Sequence, residues 1–364
     1  MQCKKYLPVL LLALLMLLPI GALALSNASV TSTIRVKAAA TPKPTRTPKP
    51  TKTPKPTATP QPTIRPTNLP TLPPTNEKGF LQEGEFVYEN DEEGVWIYAS
   101  PTLHVQIVRV KDPNKVLVWY EAHIYSDVSQ GEVFSAVPFD KEKWGKAKHV
   151  QPARIAAENK LVFAMNTDYY TYRVASKGTL MVGIVIRDGK IISEKTSKYP
   201  RFRFPTLDTL ALLPGGVMGV YRSDELTPQQ YLDMGATDVF SFGPILVRDG
   251  QANLDVKKFN YGQSDQPRCA IGMIEPGHYY ALMVEARLKN ESVGVNVPEM
   301  VDMMLEAGCQ NAFNLDGGQT AVMYFMGKQI IRIGSYAGGK TSPRTSTELI
   351  GIGRSEQVPP WTGD

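Results

Sequence analysis

A short apolar strand, Ala312-Phe313, runs into Asn314-Leu315-Asp316-Gly317-Gly318-Gln319-Thr320. Paired glycines permit positive φ and a close approach of backbone to a ligand, so Asp316 sits where a substrate can reach a carboxylate. Such a group can stabilise positive charge, act as a nucleophile or bind a sugar. The competing reading is an Asp-Gly hairpin turn with no chemistry at all. Two arginines stand at the ends of apolar segments: Arg268, between Pro267 and Cys269-Ala270-Ile271, and Arg287, after a strand expected over Tyr279–Ala286. The planar guanidinium fork binds phosphate oxygens in pairs, although a single arginine equally serves a surface ion pair. Glu285 ends the run Ala281-Leu282-Met283-Val284-Glu285, where a charge is costly unless it is used or paired. Strand alternation puts it on the same face as Arg287, as part of a site or as a structural salt bridge. His278, in the turn Gly277-His278-Tyr279, is either an exposed loop histidine or an acid–base group.

The elements that must carry these residues are mostly strands. His104 to Val110 and Val116 to Trp119 alternate with period two, and Leu161–Met165 and Met181–Ile186 are short apolar runs suited to buried strands. Asp188-Gly189 and Asp249-Gly250 are hairpin signals. Two helices are punctuated: one capped by Thr227, with Pro228 in its first turn and Gly235 at its end, and one opened by Pro298-Glu299 and stopped by Gly308. The Met300, Met303, Met304 and Ala307 stripe of the second reads as core packing. The fold class expected is α+β: mixed β-sheets flanked by a few helices, in a single domain of catalytic type.

The chain has 364 residues, 42% of them hydrophobic, and a net charge of +5. That charge is concentrated in the tail. Residues 1–76 hold ten Lys and Arg and no acid, leaving 30 basic against 35 acidic residues in 77–364, a net −5. A folded part of that sign argues against nucleic acid as a partner. Lys4-Lys5, the apolar run Leu7–Leu18 and Ala22-Leu23-Ala24 form an export signal over residues 1–28, with an uncleaved anchor as the alternative. Residues 29–78 are expected to be a disordered linker, because the hexapeptides TPKPTR, TPKPTK, TPKPTA and TPQPTI place twelve prolines between Pro42 and Pro74. As a polyproline-II spacer at ~3.1 Å per residue it spans on the order of 100 Å. Its basic residues suit tethering to an anionic wall or membrane surface, or simply keep the tether solvated. The expected location is secreted or at the outer cell surface. Three cysteines and four histidines, without any paired-ligand spacing, argue against a zinc site or a disulfide framework. Cys269 and Cys309 are expected as buried thiols. No cofactor is expected; Asp168, Asp316 and Asn314 are hard oxygen donors, but their spacing demands no metal.

Taken together, the motifs resemble the bacterial phosphodiester glycosidase family, in order from Asn166 to Ile352. The elements are Asn166-Thr167-Asp168-Tyr169-Tyr170, Phe242-Gly243-Pro244, Pro267-Arg268-Cys269-Ala270-Ile271-Gly272, Gly277-His278-Tyr279, Glu285-Ala286-Arg287, Ser292-Val293-Gly294, Asn314 to Thr320, and Arg344 to Glu348. Against the family pattern, Thr167 replaces Gly, Cys269 replaces Thr, Glu285-Ala286 replaces Asp-Gly and Thr320 replaces Ser. The resemblance implies hydrolysis of a sugar-1-phosphodiester in a cell-surface or extracellular glycan, within a domain over 161–356 that follows a strand-rich part over 79–160. The alternative is a non-catalytic wall- or anionic-carbohydrate-binding module. An oxocarbenium-like transition state needs a carboxylate, and a leaving phosphate needs cationic clamping. Asp316 and then Glu285 are the expected carboxylates, with His278 as proton donor or phosphate ligand. Arg268, Arg287 and Arg344 are the expected phosphate ligands, and Asn166, Asp168, Asn314, Gly317, Gly318 and Thr320 line the substrate. The sharpest expectation is that Asp316 and Arg268 share one site.

Overall fold

A computed structural model describes residues 62–144, 149–168, 182–195, 206–258, 260–335 and 339–363. The export signal, the repeats through Gln61, and Tyr169 and Tyr170 lie outside them. Among the described residues, strands form three sheets of nine, five and five members. The nine-stranded sheet runs Phe86–Asn90, Val95–Ala99, Leu103–Asp112, Leu117–Ser126, His278–Val284, Arg268–Glu275, Asn311–Asn314, Ile245–Arg248 and Gln251–Ala252, every pair antiparallel. The architecture is α+β. The four N-terminal strands are continuous with the motif-bearing strands, because Leu117–Ser126 pairs along the whole of His278–Val284. Contact with this sheet also begins ahead of Gly79: Ile64 bridges Lys111, and Arg65 forms an ion pair with Glu121.

Local signals account for much of the framework. Asp188-Gly189 and Asp249-Gly250 both have positive φ at both positions and join paired strands at Arg187↔Lys190 and Arg248↔Gln251, as two-residue hairpins of this type require. The helix Val297–Glu306 starts at a reciprocal cap, in which the Asn296 side chain accepts from the Glu299 N–H and the Glu299 carboxylate accepts from the Asn296 N–H. Its Met300 and Met304 are buried on one face of the large sheet, among Ala270, Leu282 and Ala312. The opposite face, with Cys269, Ile271 and Phe313, packs into the main core together with the two smaller sheets.

One of the smaller sheets contains Gly183–Arg187 and Asp238–Phe242, and the other Leu161–Met165 and Glu348–Arg354. They are tied by Arg187, whose side chain is 1% exposed. Its Nε and Nη2 donate to the two oxygens of Glu348 at 3.0 and 2.6 Å, and Nη2 also reaches Asp168 at 3.2 Å. Nη1 donates to the carbonyls of Ile186 and Val239. All five guanidinium N–H groups are therefore used, and the plane lies over the Phe240 ring at 4.2 Å. Arg187→Leu leaves Glu348 and Asp168 buried without their cation. We expect a loss of about 3–5 kcal/mol of stability, read as a lower urea midpoint at unchanged slope.

Candidate active site

The site is built at one end of the large sheet. Ala270 opposes Asn314 in the register, and the Leu315 N–H extends the pairing by donating to the Cys269 carbonyl at 3.0 Å. Continued by two residues past the end of the strand, the same register brings Asp316 alongside Arg268. Directly opposed residues of an antiparallel pair lie on the same face with Cβ atoms about 5 Å apart. Asp316 is 8% and Arg268 4% exposed. The Arg268 guanidinium is oriented by backbone acceptors, Nε by Val295 O at 3.3 Å and Nη2 by Ser264 O at 3.0 Å.

The turn beyond Asp316 is no hairpin. Asn311–Asn314 belongs to the large sheet and Met323–Phe325 to a small one, so Asp316-Gly317-Gly318 is a crossing between sheets. Each glycine has a separate reason. A Cβ on Gly317 would stand 2.6 Å from the Pro267 carbonyl oxygen, whereas Gly318 has φ +68° and donates its N–H to that same oxygen. From behind, Asn166 fixes the crossing. Its Nδ2 donates to Asp316 O at 2.7 Å, and its Oδ1 accepts from the Val322 N–H at 3.0 Å. The Asp316 N–H in turn donates to Thr167 O.

Several other expected residues gather at the same end. Asn314 donates Nδ2 to Gly243 O at 2.8 Å, while its buried Oδ1 has no hydrogen-bond partner among the described residues. Arg344 caps the Gly318–Thr320 turn, its N–H on Gln319 O and its Nη1 3.4 Å from Thr320 Oγ1. Asp168, like Asn166, lies just past the strand Leu161–Met165, but its Oδ2 accepts from Arg187 and from the Ser241 N–H. Cys269 takes up a structural position, its thiol within 3.2 Å of Asn166 Oδ1 and 3.3 Å of Asp316 O. Both Cys269 and Cys309 are free and buried. Burial raises both thiols, Cys309 to about 12. We expect neither to react with a thiol reagent in the native protein and both to titrate after denaturation under non-reducing conditions.

Three expectations about geometry need correction. The strand from His278 ends at Val284, and Arg287 has φ +61°, so Glu285 and Arg287 do not share a strand face. Arg287 is exposed and bonded to Gln266. Glu285 is sealed beneath the turn. It accepts from the Arg332 backbone N–H at 2.7 Å, from Arg332 Nη2 at 2.8 Å and from the Tyr120 hydroxyl at 3.0 Å. A void of about 10 Å³, room for about one water, separates that pair from Gly318. His278 stands at the far end of its strand: Val284 opposes Arg268, but His278 opposes Glu275. Six residues at ~3.3 Å each separate it from the site by roughly 20 Å.

Arg187 and Arg332 are functional supports that the motif reading passed over. The signal was present. Arg332 lies between Ile331 and Ile333, and Arg187 follows Ile184-Val185-Ile186. A charge in an apolar run is the same feature that singled out Glu285.

Burial, with His123 beside it at 3.2 Å, lowers His278 to about 4 from an ordinary 6.5. The unfolded chain therefore binds the proton first on acidification. His278 contributes stability that is complete above about pH 6.5 and is lost as pH falls toward 4. His278→Gln should lose less melting temperature than the parent protein between pH about 7.5 and about 5. An equal loss in both proteins would contradict the assignment.

A family model described as phosphodiester glycosidase matches residues 159–352. The SPbeta prophage-derived uncharacterized protein YomE of Bacillus subtilis (strain 168) is 30% identical over 167 residues, covering 43% of this chain and 24% of YomE. The chain thus spans about a quarter of the length of that curated relative. Among solved structures, the zebrafish N-acetylglucosamine-1-phosphodiester alpha-N-acetylglucosaminidase catalytic domain, auto-inhibited by its pro-peptide, superposes with a TM-score of 0.55 at 17% identity, over 70% of this chain and 85% of that one. A hypothetical protein from Synechocystis gives a TM-score of 0.47 at 12% identity, over 70% and 62% of the two chains.

Proposed function

The chain belongs to the phosphodiester glycosidase family, and from that premise we propose that it is an exported hydrolase acting on a sugar-1-phosphodiester of a cell-surface or extracellular glycan. What supports this reading is the register of Arg268–Glu275 with Asn311–Asn314, which brings Asp316 and Arg268 to the same end of the large sheet. The substrate has a ring that develops positive charge and a phosphate that stays negative. In the proposed reaction, water adds to the anomeric carbon while its bond to the phosphate oxygen breaks, and the phosphate monoester leaves with the electron pair. Asp316 stabilises the positive ring or bonds to it. Arg268, with Arg344 nearby, takes the phosphate charge, so strong general-acid help is not required. The buried Oδ1 of Asn314 suits a sugar hydroxyl donor, because a buried acceptor is costly to leave without one. Export through residues 1–28, and tethering by the basic proline-rich repeats that precede the contacts of Ile64 and Arg65 with the large sheet, complete the proposal.

One observation favours a binding module instead. Asp168 and Glu285 are both engaged by arginines, Arg187 and Arg332. A single variant separates the two readings. With a panel of sugar-1-phosphodiesters and release of reducing sugar as the readout, Asp316→Asn should abolish turnover while binding stays measurable. Arg268→Ala should cost about 2–5 kcal/mol in transition-state binding, and Arg268→Lys should recover only part of it, because the two-pronged contact is lost. No sugar release by the parent protein, with binding that Asp316→Asn barely changes, would favour the module.

A further inference from the structure

On the face of the large sheet that carries the helix Val297–Glu306, the helix leaves part of the strand Leu117–Ser126 uncovered. A cavity of about 560 Å³ opens there, in the size range of small-ligand sites. Its floor is aromatic: Trp119, His123 and Tyr280. Tyr280 is 3% exposed, yet its hydroxyl makes no hydrogen bond among the described residues. The residue lines the open cavity, so its hydroxyl is within reach of water or a ligand.

The charges around it are one-sided. Glu299, Asp302 and Glu306 follow one another at helical spacing along the wall formed by the helix, and Asp112 and Glu121 rise from the sheet side. Against them stand Arg65, which is already paired with Glu121, and Lys115. Neither Asp302 nor Glu306 makes an ion pair or a side-chain hydrogen bond among the described residues. Tyr280 feels both Glu121 and Glu306. Burial lowers His123, so its ring adds no positive charge near neutral pH. Such a cavity repels phosphate and attracts a cation. A bare metal ion is a poor fit, because no three His, Cys, Asp or Glu among the described residues converge closely enough to hold one.

We propose that this cavity binds a small organic ammonium ion, with the charged nitrogen received by Glu306 and Asp302 and the attached body seated against Tyr280 and His123. The proposal is independent of the hydrolytic reading, since it uses neither Asp316 nor Arg268. Two kinds of body fit the same chemistry, a hydroxylated ring and an aliphatic chain. Calorimetric titration of the full chain with D-glucosamine, with spermidine and with N-acetyl-D-glucosamine distinguishes them. At least one ammonium probe should bind, and the neutral N-acetyl compound should bind roughly tenfold or more weakly, as expected when charge-assisted hydrogen bonds are lost. Binding of glucosamine alone identifies an amino-sugar site, and binding of spermidine alone a polyamine site. The double variant Asp302→Asn, Glu306→Gln changes only exposed side chains and should weaken the bound probe roughly tenfold or more. Tyr280→Phe should weaken it several-fold at an unchanged melting temperature. The proposal is overturned if neither ammonium probe binds, if the N-acetyl compound binds as well as glucosamine, or if binding survives the double variant.

Discussion

The full saturation of the Arg187 guanidinium is the constraint on which the rest of the structure leans. A cation removed from water is tolerable only when every donor is met, and this one is met by two carboxylates and two carbonyls from four separate segments. Three of those segments are the strands Gly183–Arg187, Asp238–Phe242 and Glu348–Arg354. The fourth is the chain just beyond Leu161–Met165, where Asp168 lies. Fixing Asp168 fixes the position of Asn166 two residues earlier, and Asn166 holds the carbonyl of Asp316. The buried ion cluster therefore supports the candidate site from behind. An apolar replacement could be as stable, but it would not set the direction of the chain at Asp168 so narrowly.

That linkage gives Cys269 a structural part at the position where the family pattern noted above has Thr. The position faces inward, toward Asn166 Oδ1 and Asp316 O. A thiol, like a hydroxyl, supplies one donor to that pair, so the exchange leaves the hydrogen-bond pattern of the crossing in place. The Glu285 position is different. There a longer acid reaches Arg332 and Tyr120 and is drawn away from solvent, which turns a motif residue into a support for the strand end.

The strands, both Asp-Gly hairpins and both punctuated helices were legible because each rests on local chemistry: period-two alternation, positive φ, capping side chains. That Asp316 and Arg268 belong together could be argued from the sequence only by chemical requirement, since strand register is decided by non-local packing. What escaped was likewise non-local. Nothing near Glu285 in the chain announces Arg332, 47 residues away. Nor does the run around Arg187 name Glu348, 161 residues on. His278 was misplaced relative to the site for a related reason. A motif preserves order along the chain, but a seven-residue strand carries its two termini to opposite ends of the sheet.

The same end of the sheet shows how a guanidinium is oriented by the scaffold. Nε and Nη2 of Arg268 are directed to the carbonyls of Val295 and Ser264. The plane is thus set by backbone before any ligand arrives, and little reorganisation remains when an anion binds. Asp316 is held in the same manner, through its own N–H and carbonyl. Main-chain contacts thus hold the backbone of Asp316 and the guanidinium of Arg268 at the same end of the sheet. A substrate that carries both a phosphate and a ring developing positive charge can satisfy both at once.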